Sequence, residues 1–240
     1  MIDFLCIGAQ KSGTTLLYEH LKEIEELFLP EQKELHFFDN DKNFIQGLDW
    51  YKKHFANAKK EQIKGEITPA YIFFEKVPQR IRKISDNHDG LKFIVLLRNP
   101  IDRAYSHYNM TNKRQRENLT FEEAIMYEMY RLEDYKEMID YSYISRGFYS
   151  EQIMRYFKYF HKKQFKFILY EDFVLNQEKY INEITSFLGI DKKVDIKNKV
   201  VFQNEYEKMS INTKIMLAKI YEKEINCLEN IIDLDLSIWK

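Results

Sequence analysis

Apolar positions in this chain follow two patterns, short unbroken runs and helical stripes, and the two alternate along the sequence. Phe4-Leu5-Cys6-Ile7 is the first run, Ile63-Lys64-Gly65-Glu66-Ile67 the second, and Lys92-Phe93-Ile94-Val95-Leu96-Leu97-Arg98 is nearly all apolar and β-rich. Phe165-Lys166-Phe167-Ile168-Leu169-Tyr170 is the last. A run that is apolar at successive positions puts greasy side chains on both faces, as a strand buried inside a parallel sheet does. Thr68-Pro69 stops the second run, because the residue before proline is pushed out of the helical region. Leu17, Leu21, Ile24 and Leu27 form a stripe with Glu and Lys opposite, which predicts a helix over about Thr14 to Leu27 covering one face of the sheet. Leu29-Pro30 opens a loop, and Gly47-Leu48-Asp49-Trp50-Tyr51 falls in a following helix. Asn99-Pro100 starts a long helix, proline being well tolerated in a first turn. Further helices are expected over Gln177 to Leu188 and Asn212 to Asn230. From Thr120 to Tyr143 the chain is charged and tyrosine-rich; Thr120 with Glu123 makes a capping box, and the aromatics read as packing residues. Strands alternating with helices imply an α/β fold, a central parallel sheet flanked by helices on both faces, with ligands collecting outside the carboxyl ends of the strands.

At 240 residues the chain suits one domain over 1–240, with a helical excursion at about 111–145. A formal net charge of −1 argues against a nucleic-acid partner, whose binding needs a basic footprint. The basic runs Lys113-Arg114-Gln115-Arg116 and His161-Lys162-Lys163 read as solvated helix faces or ends. Two cysteines, Cys6 and Cys227, read as small hydrophobes in a reducing compartment and not as a disulfide or metal site. No apolar stretch approaches the ~20 residues needed to span a bilayer, and no leader pattern precedes the first strand. A cytoplasmic, soluble chain with no transmembrane segment is expected.

The chemistry starts where the first run enters Gly8-Ala9-Gln10-Lys11-Ser12-Gly13-Thr14-Thr15 and a helix follows directly. A strand, a glycine-bounded loop and a helix N-terminus make an anion cradle: loop N–H groups and unpaired first-turn donors converge, and the helix dipole adds positive charge. Phosphate or sulfate fits there. In the ATP-binding P-loop the lysine follows the second glycine and precedes a magnesium-binding Ser/Thr; here Lys11 comes before Gly13. A magnesium-dependent kinase or NTPase would also need an acidic residue at a strand tip, where this chain has Arg98. Ser106 lies eight positions after Arg98, about two helical turns on, so both could reach one anion at the rim of the sheet. Arg103 reads as structural. In the loop Lys33-Glu34-Leu35-His36-Phe37-Phe38-Asp39, taken alone, Glu34 reads as a solvated carboxylate and His36 as a hydrogen-bonded structural histidine.

The order Gly-x-x-Lys-x-Gly-Thr-Thr resembles the 5′-phosphosulfate loop of sulfotransferases that use 3′-phosphoadenosine 5′-phosphosulfate (PAPS). Phe93 through Tyr108 resembles their 3′-phosphate-binding segment, and Lys33 through Asp39 is similar to the acceptor-side motif of the heparan-sulfate type. Gly65-Glu-Ile-Thr-Pro-Ala-Tyr71, Ser145-Arg-Gly-Phe-Tyr149 and Asp235-Leu-Ser-Ile-Trp239 match further pieces. The resemblance implies a P-loop-like fold and a PAPS-dependent enzyme. Gln10, Lys11, Ser12, Gly13, Thr14, Thr15, Arg98 and Ser106 would bind the donor and leave 3′,5′-ADP as product. Glu34, Lys11 and His36 would be catalytic, with no metal, and the acceptor a saccharide hydroxyl or amine: Glu34 would be the base, its pKa expected to rise through burial beside Phe37 and Phe38, and His36 the alternative base or the group that orients Glu34. A non-sugar small-molecule acceptor and a noncatalytic nucleotide-binding relative are the alternatives. Two departures stand out: Ile67 occupies a position where several animal heparan-sulfate enzymes carry lysine, and Asn204 to Lys208 is the expected substitute for their late nucleotide-closing loop.

Overall fold

A computed structural model describes residues 2–84, 89–197, 199 and 206–240; of the expected late closing loop, Asn204 and Glu205 lie outside them. The chain divides into two compact units, Met1–Leu97 with Arg155–Phe202, and Arg98–Met154 with Gln203–Lys240.

In the first unit, β1 (Phe4–Gly8), α1 (Thr14–Leu21), β2 (Leu27–Phe28), α2 (Asp41–Phe44), α3 (Gly47–Lys53), β3 (Ile63–Ile67), α4 (Lys76–Ile84) and β4 (Lys92–Leu97) follow in sequence. The five-stranded sheet has the order β2-β3-β1-β4-β5 once β5 (Phe165–Leu169, below) joins, and every pairing is parallel. β1 and the apolar part of β4 are buried at every position, so both faces are covered, as unbroken apolar runs require. On one face Phe4, Cys6, Ile94 and Leu96 meet Leu17 and Leu21 of α1 and Ile181 and Ile184 of a later helix. On the other, Phe93 stacks on Phe165 with ring centroids 4.6 Å apart and packs edge-on against Tyr156.

The second unit carries α5 (Pro100–Lys113), α6 (Phe121–Met126), α7 (Tyr135–Tyr141) and most of α8 (Tyr149–Phe157). The chain then returns to the first unit through β5, α9 (Tyr170–Leu175) and α10 (Gln177–Leu188), and ends in the second with α11 (Ile211–Ile232). The Asn99 side chain caps α5 by accepting from Ile101 N, with Pro100 in the first turn. Thr120 and Glu123 form the expected capping box. The tyrosine-rich excursion is split: Phe121 and Tyr143 are buried, whereas Tyr127 and Tyr130 are exposed. Arg103 is fully buried and donates to the Tyr143 carbonyl, the structural part expected of it.

The first helix departs from expectation. It stops at Leu21, and the chain tightens through Glu23 N to His20 O, Ile24 N to Leu21 O and Leu27 N to Ile24 O before entering β2. Ile24 and Leu27 stay in the core because these three-residue turns space side chains much as an α-helix does. The stripe therefore holds throughout, and the expected helix holds only as far as Leu21. Leu27 pairs with Ile63, making a two-residue edge strand that periodicity could not signal.

Candidate active site

The loop after β1 folds back on the sheet, with Ala9 N donating to Leu96 O and Ser12 N to Ala9 O. Gly13 begins α1 at φ 83, and a Cβ there would lie 2.8 Å from the Tyr170 ring, so both the backbone and the space demand glycine. No side chain caps α1, and its first turn carries no acidic residue. The first-turn N–H groups of such a helix lack intrahelical acceptors and favour an anion. Two buried polar atoms in this loop, Ser12 Oγ and Gln10 Oε1, have no hydrogen-bond partner. Buried polar atoms are usually paired, so the hydroxyl is available to an incoming ligand.

β3 brings the second motif to the same end of the sheet. Cys6 of β1 lies opposite Ile67 of β3, and Glu34 N donates to Ile67 O at 3.2 Å. Burial pushes the Cys6 thiol up to about 12, partly opposed by a backbone hydrogen bond from Gly8, and the Lys33 and Glu34 charges both act on it as well. Glu34 therefore stands one strand away from the loop that contains Lys11. Asn43 Nδ2 holds the motif's backbone by donating to the Leu35 and His36 carbonyls, both at 3.1 Å.

Lys33 Nζ donates to Glu34 Oε1 at 2.5 Å, and His36 Nε2 lies 3.6 Å from Glu34 Oε2. His36 Nδ1 is 2.8 Å from Asp39 Oδ2, and that aspartate is fully buried. Two cations thus flank one carboxylate, and a second carboxylate backs the imidazole. Burial alone would push Glu34 up, the direction expected from sequence, but the hydrogen bond from His36 and the Lys33 charge win and bring it to about 2. That is a correction: Phe37 and Phe38 bury the loop, while charges that the apolar pattern does not weigh set the sign. Burial likewise pushes His36 down, but Asp39 and Glu34 raise it to about 9. At neutral pH the site holds a carboxylate beside an imidazolium.

A stability prediction follows with opposite signs for the two groups. The raised His36 pKa contributes stability that is fully present below its ordinary 6.5 and is lost as pH climbs through about 9. The lowered Glu34 pKa contributes above its ordinary 4.5 and is lost as pH falls through about 2. Denaturant midpoints measured between pH 6 and 10 should fall on the alkaline side, and His36→Gln should flatten that decline. A wild-type decline unchanged in His36→Gln would show that the clamp does not hold.

Lys11, Glu34 and His36 all have left-handed backbones, at φ 70, 63 and 50. Each costs of order ~1–3 kcal/mol and persists only where the surroundings over-determine it. Lys33 and Asp39 had no role from sequence; their signal was membership of the same short motif. Arg98 and Ser106 belong to the second unit, Arg98 directly after β4 and Ser106 buried on α5, and Tyr149 donates to the Arg98 carbonyl at 3.0 Å. Ile67 is buried in the core and offers no charge. Among the described residues no cluster of three or more His, Cys, Asp or Glu could hold a metal ion. No described helix is long and apolar enough to cross a membrane.

The family model described as sulfotransferase domain matches residues 1–227. Heparan sulfate glucosamine 3-O-sulfotransferase 5 of Mus musculus is 28% identical over 200 residues, covering 79% of this chain and 54% of the relative. The chain thus spans about half the length of the curated relatives it matches. The crystal structure of a sulfotransferase from Alicyclobacillus acidocaldarius superposes with a TM-score of 0.87 at 27% identity, covering 100% of this chain and 98% of the other. A mouse sulfotransferase complexed with PAP, at a TM-score of 0.55 and 18% identity over 95% of this chain and 66% of that one, shares the fold.

Proposed function

The chain belongs to the sulfotransferase domain family, and from that premise we propose that it transfers the sulfuryl group of PAPS to a hydroxyl or amine of a saccharide, with Glu34 as base. The observation that carries this reading is the Lys33–Glu34–His36–Asp39 chain, anchored on β3 next to the strand that leads into the Lys11 loop.

The residues present suit the donor. The uncapped α1 N-terminus, the partnerless Ser12 hydroxyl and Lys11 offer donors and positive charge where a 5′-phosphosulfate would lie. Gln10, Gly13, Thr14 and Thr15 complete that loop. Arg98 and Ser106 are assigned the 3′-phosphate, the arginine through charge-assisted bonds and the serine through its hydroxyl. When bound, PAPS supplies an activated sulfuryl group. Lys11 and the helix N-terminus oppose the negative charge that grows on the oxygen leaving towards the nucleotide. Glu34, ionised at every working pH, accepts the acceptor's proton. By analogy with phosphoryl transfer, a loose transition state releases that proton late, so a weak base suffices. His36 is the poorer candidate, because an imidazolium has no lone pair to offer. It orients Glu34 instead.

The saccharide acceptor is supported by the motif that holds Glu34 and by relatives named for heparan sulfate glucosamine. A single domain over 1–240 is supported by a family match that runs through both compact units. A cytoplasmic setting is supported by two free cysteines, one of them exposed.

Calorimetry with 3′,5′-ADP, 5′-ADP and ATP plus magnesium tests the donor. We expect a preference for the 3′-phosphorylated nucleotide of about tenfold or more that disappears in Arg98→Ala, charge-assisted bonds being the stronger kind. Preference for ATP, or no nucleotide binding, would remove the donor assignment. Incubation with PAPS and a glucosamine-containing heparan oligosaccharide tests the acceptor; turnover confined to phenols or lipids would favour a non-sugar substrate.

A further inference from the structure

We infer that Glu66 and Tyr71 are positioning residues that fix the Glu34–His36–Asp39 loop from beneath, an inference that rests on the assignment of Glu34 as base. Glu66, at the carboxyl end of β3, is 1% exposed, and among the described residues it forms no salt bridge with a cation. Hydroxyls satisfy it instead. Oε1 accepts from Thr68 Oγ1 at 2.6 Å and from Tyr71 at 2.7 Å, and Oε2 accepts from Tyr51 at 2.5 Å.

Each tyrosine then acts on the loop. The Tyr71 hydroxyl, fully buried, accepts from Phe37 N at 2.9 Å and from Phe38 N at 3.4 Å. Tyr51 stacks on the Phe37 ring at 4.6 Å and meets Phe38 edge-on at 5.4 Å. Phe37 and Phe38 are the two residues between His36 and Asp39, so the pair that fixes the imidazole is held by one hydroxyl and one ring. A single carboxylate orients both. A hydroxyl donates once and accepts through its lone pairs, so the bond to Glu66 fixes the direction of the Tyr71 proton and leaves the lone pairs turned to the loop.

The arrangement explains a costly group. An ionisable carboxyl buried in a sheet is expensive, and burial pushes Glu66 up, with the Asp39 charge adding to that while the three hydroxyls draw it down. A packing role alone is met more cheaply by an apolar side chain. The charged and titratable groups facing this loop are Lys33, Glu34 and Asp39 within it, Glu66, Tyr71 and Tyr51 beneath it, Cys6 on β1 and Arg80 of α4, which donates to the Phe38 carbonyl at 2.9 Å.

Tyr71→Phe deletes the hydroxyl and keeps the ring, and Glu66→Gln keeps the shape and removes the charge. In each variant we expect kcat to fall about tenfold or more, since small misplacements of a reacting group cost up to ~10²-fold. Affinity for 3′,5′-ADP should stay within about twofold, because the loop containing Lys11 is untouched. The readout that a packing residue would not move is the His36 titration, followed by NMR on the free protein. Its midpoint, about 9 in the unaltered chain, should drop towards 6.5 once Asp39 and Glu34 are no longer held against the ring. An unmoved midpoint overturns the inference, whether turnover falls or not. Should Glu66→Gln fail to fold, Tyr71→Phe decides alone. Because the titration needs no acceptor, this outcome is independent of the base assignment, which stands or falls on Glu34→Gln.

Discussion

Glu34→Gln is expected to lower turnover by about 10²–10⁴-fold, the range that a positioned base contributes, while 3′,5′-ADP binds as before. The carboxamide keeps the length of the side chain and can still accept from Lys33, so the loop should stay in place. What it loses is the negative charge and the basicity that the proposed base needs to take the acceptor's proton. The pH profile sharpens the result. With Glu34 held at about 2, the wild-type enzyme should show no acid limb from this group across pH 4 to 7. Exchanging Lys33 for methionine removes one of the two cations that hold the pKa down, so an acid limb should emerge as Glu34 moves back towards 4.5. Because Glu34 and His36 titrate as a pair, the limb belongs to the pair and not to one residue. Near-wild-type turnover in Glu34→Gln would remove it as the base and leave the role to a group outside this motif.

Lys11→Ala is expected to cost about 10²–10³-fold in kcat, comparable to the loss of one preorganised donor at a developing charge, with a smaller loss of nucleotide affinity. The reasoning is differential. On the proposed reading, ground-state binding would draw on the α1 N-terminus, Ser12 and the residues assigned to the 3′-phosphate as well, so one ammonium would be a fraction of it. In the transition state the charge concentrates on the leaving oxygen, and the lysine's share grows. Lys11→Arg should rescue little, because a planar fork at a backbone φ of 70 presents its charge differently from a compact ammonium. Stopped-assay kcat and calorimetric Kd for the same variant decide the matter. Equal losses in both would make Lys11 a binding residue only.

Residue pattern alone located four of the five strands, the parallel α/β class, the Asn99-Pro100 and Thr120–Glu123 helix starts and the two motifs proposed for the site. Those features depend on neighbours a few positions apart, so a window of sequence contains their cause: unbroken apolar runs bury strands on both faces, and a Gly13 that must begin a helix at positive φ cannot be another residue. The end of α1 was not legible, since a stripe of Leu17, Leu21, Ile24 and Leu27 is equally compatible with a helix and with tight turns leading to an edge strand. Pairing of Leu27 with Ile63 chose between them. Protonation was beyond sequence for the same reason. Whether Glu34 is raised by burial or lowered by charge depends on where Lys33 and His36 point, and their orientation depends in turn on Asp39, Tyr71 and Glu66. Order along the chain is enough to say which groups lie at the strand ends. Which of them carry charge and which hold the others still is set by folding, because electrostatic and hydrogen-bond energies depend on side-chain directions and distances of a few ångströms, which for Lys33, Glu34, His36 and Asp39 are imposed by the distant Tyr71 and Glu66.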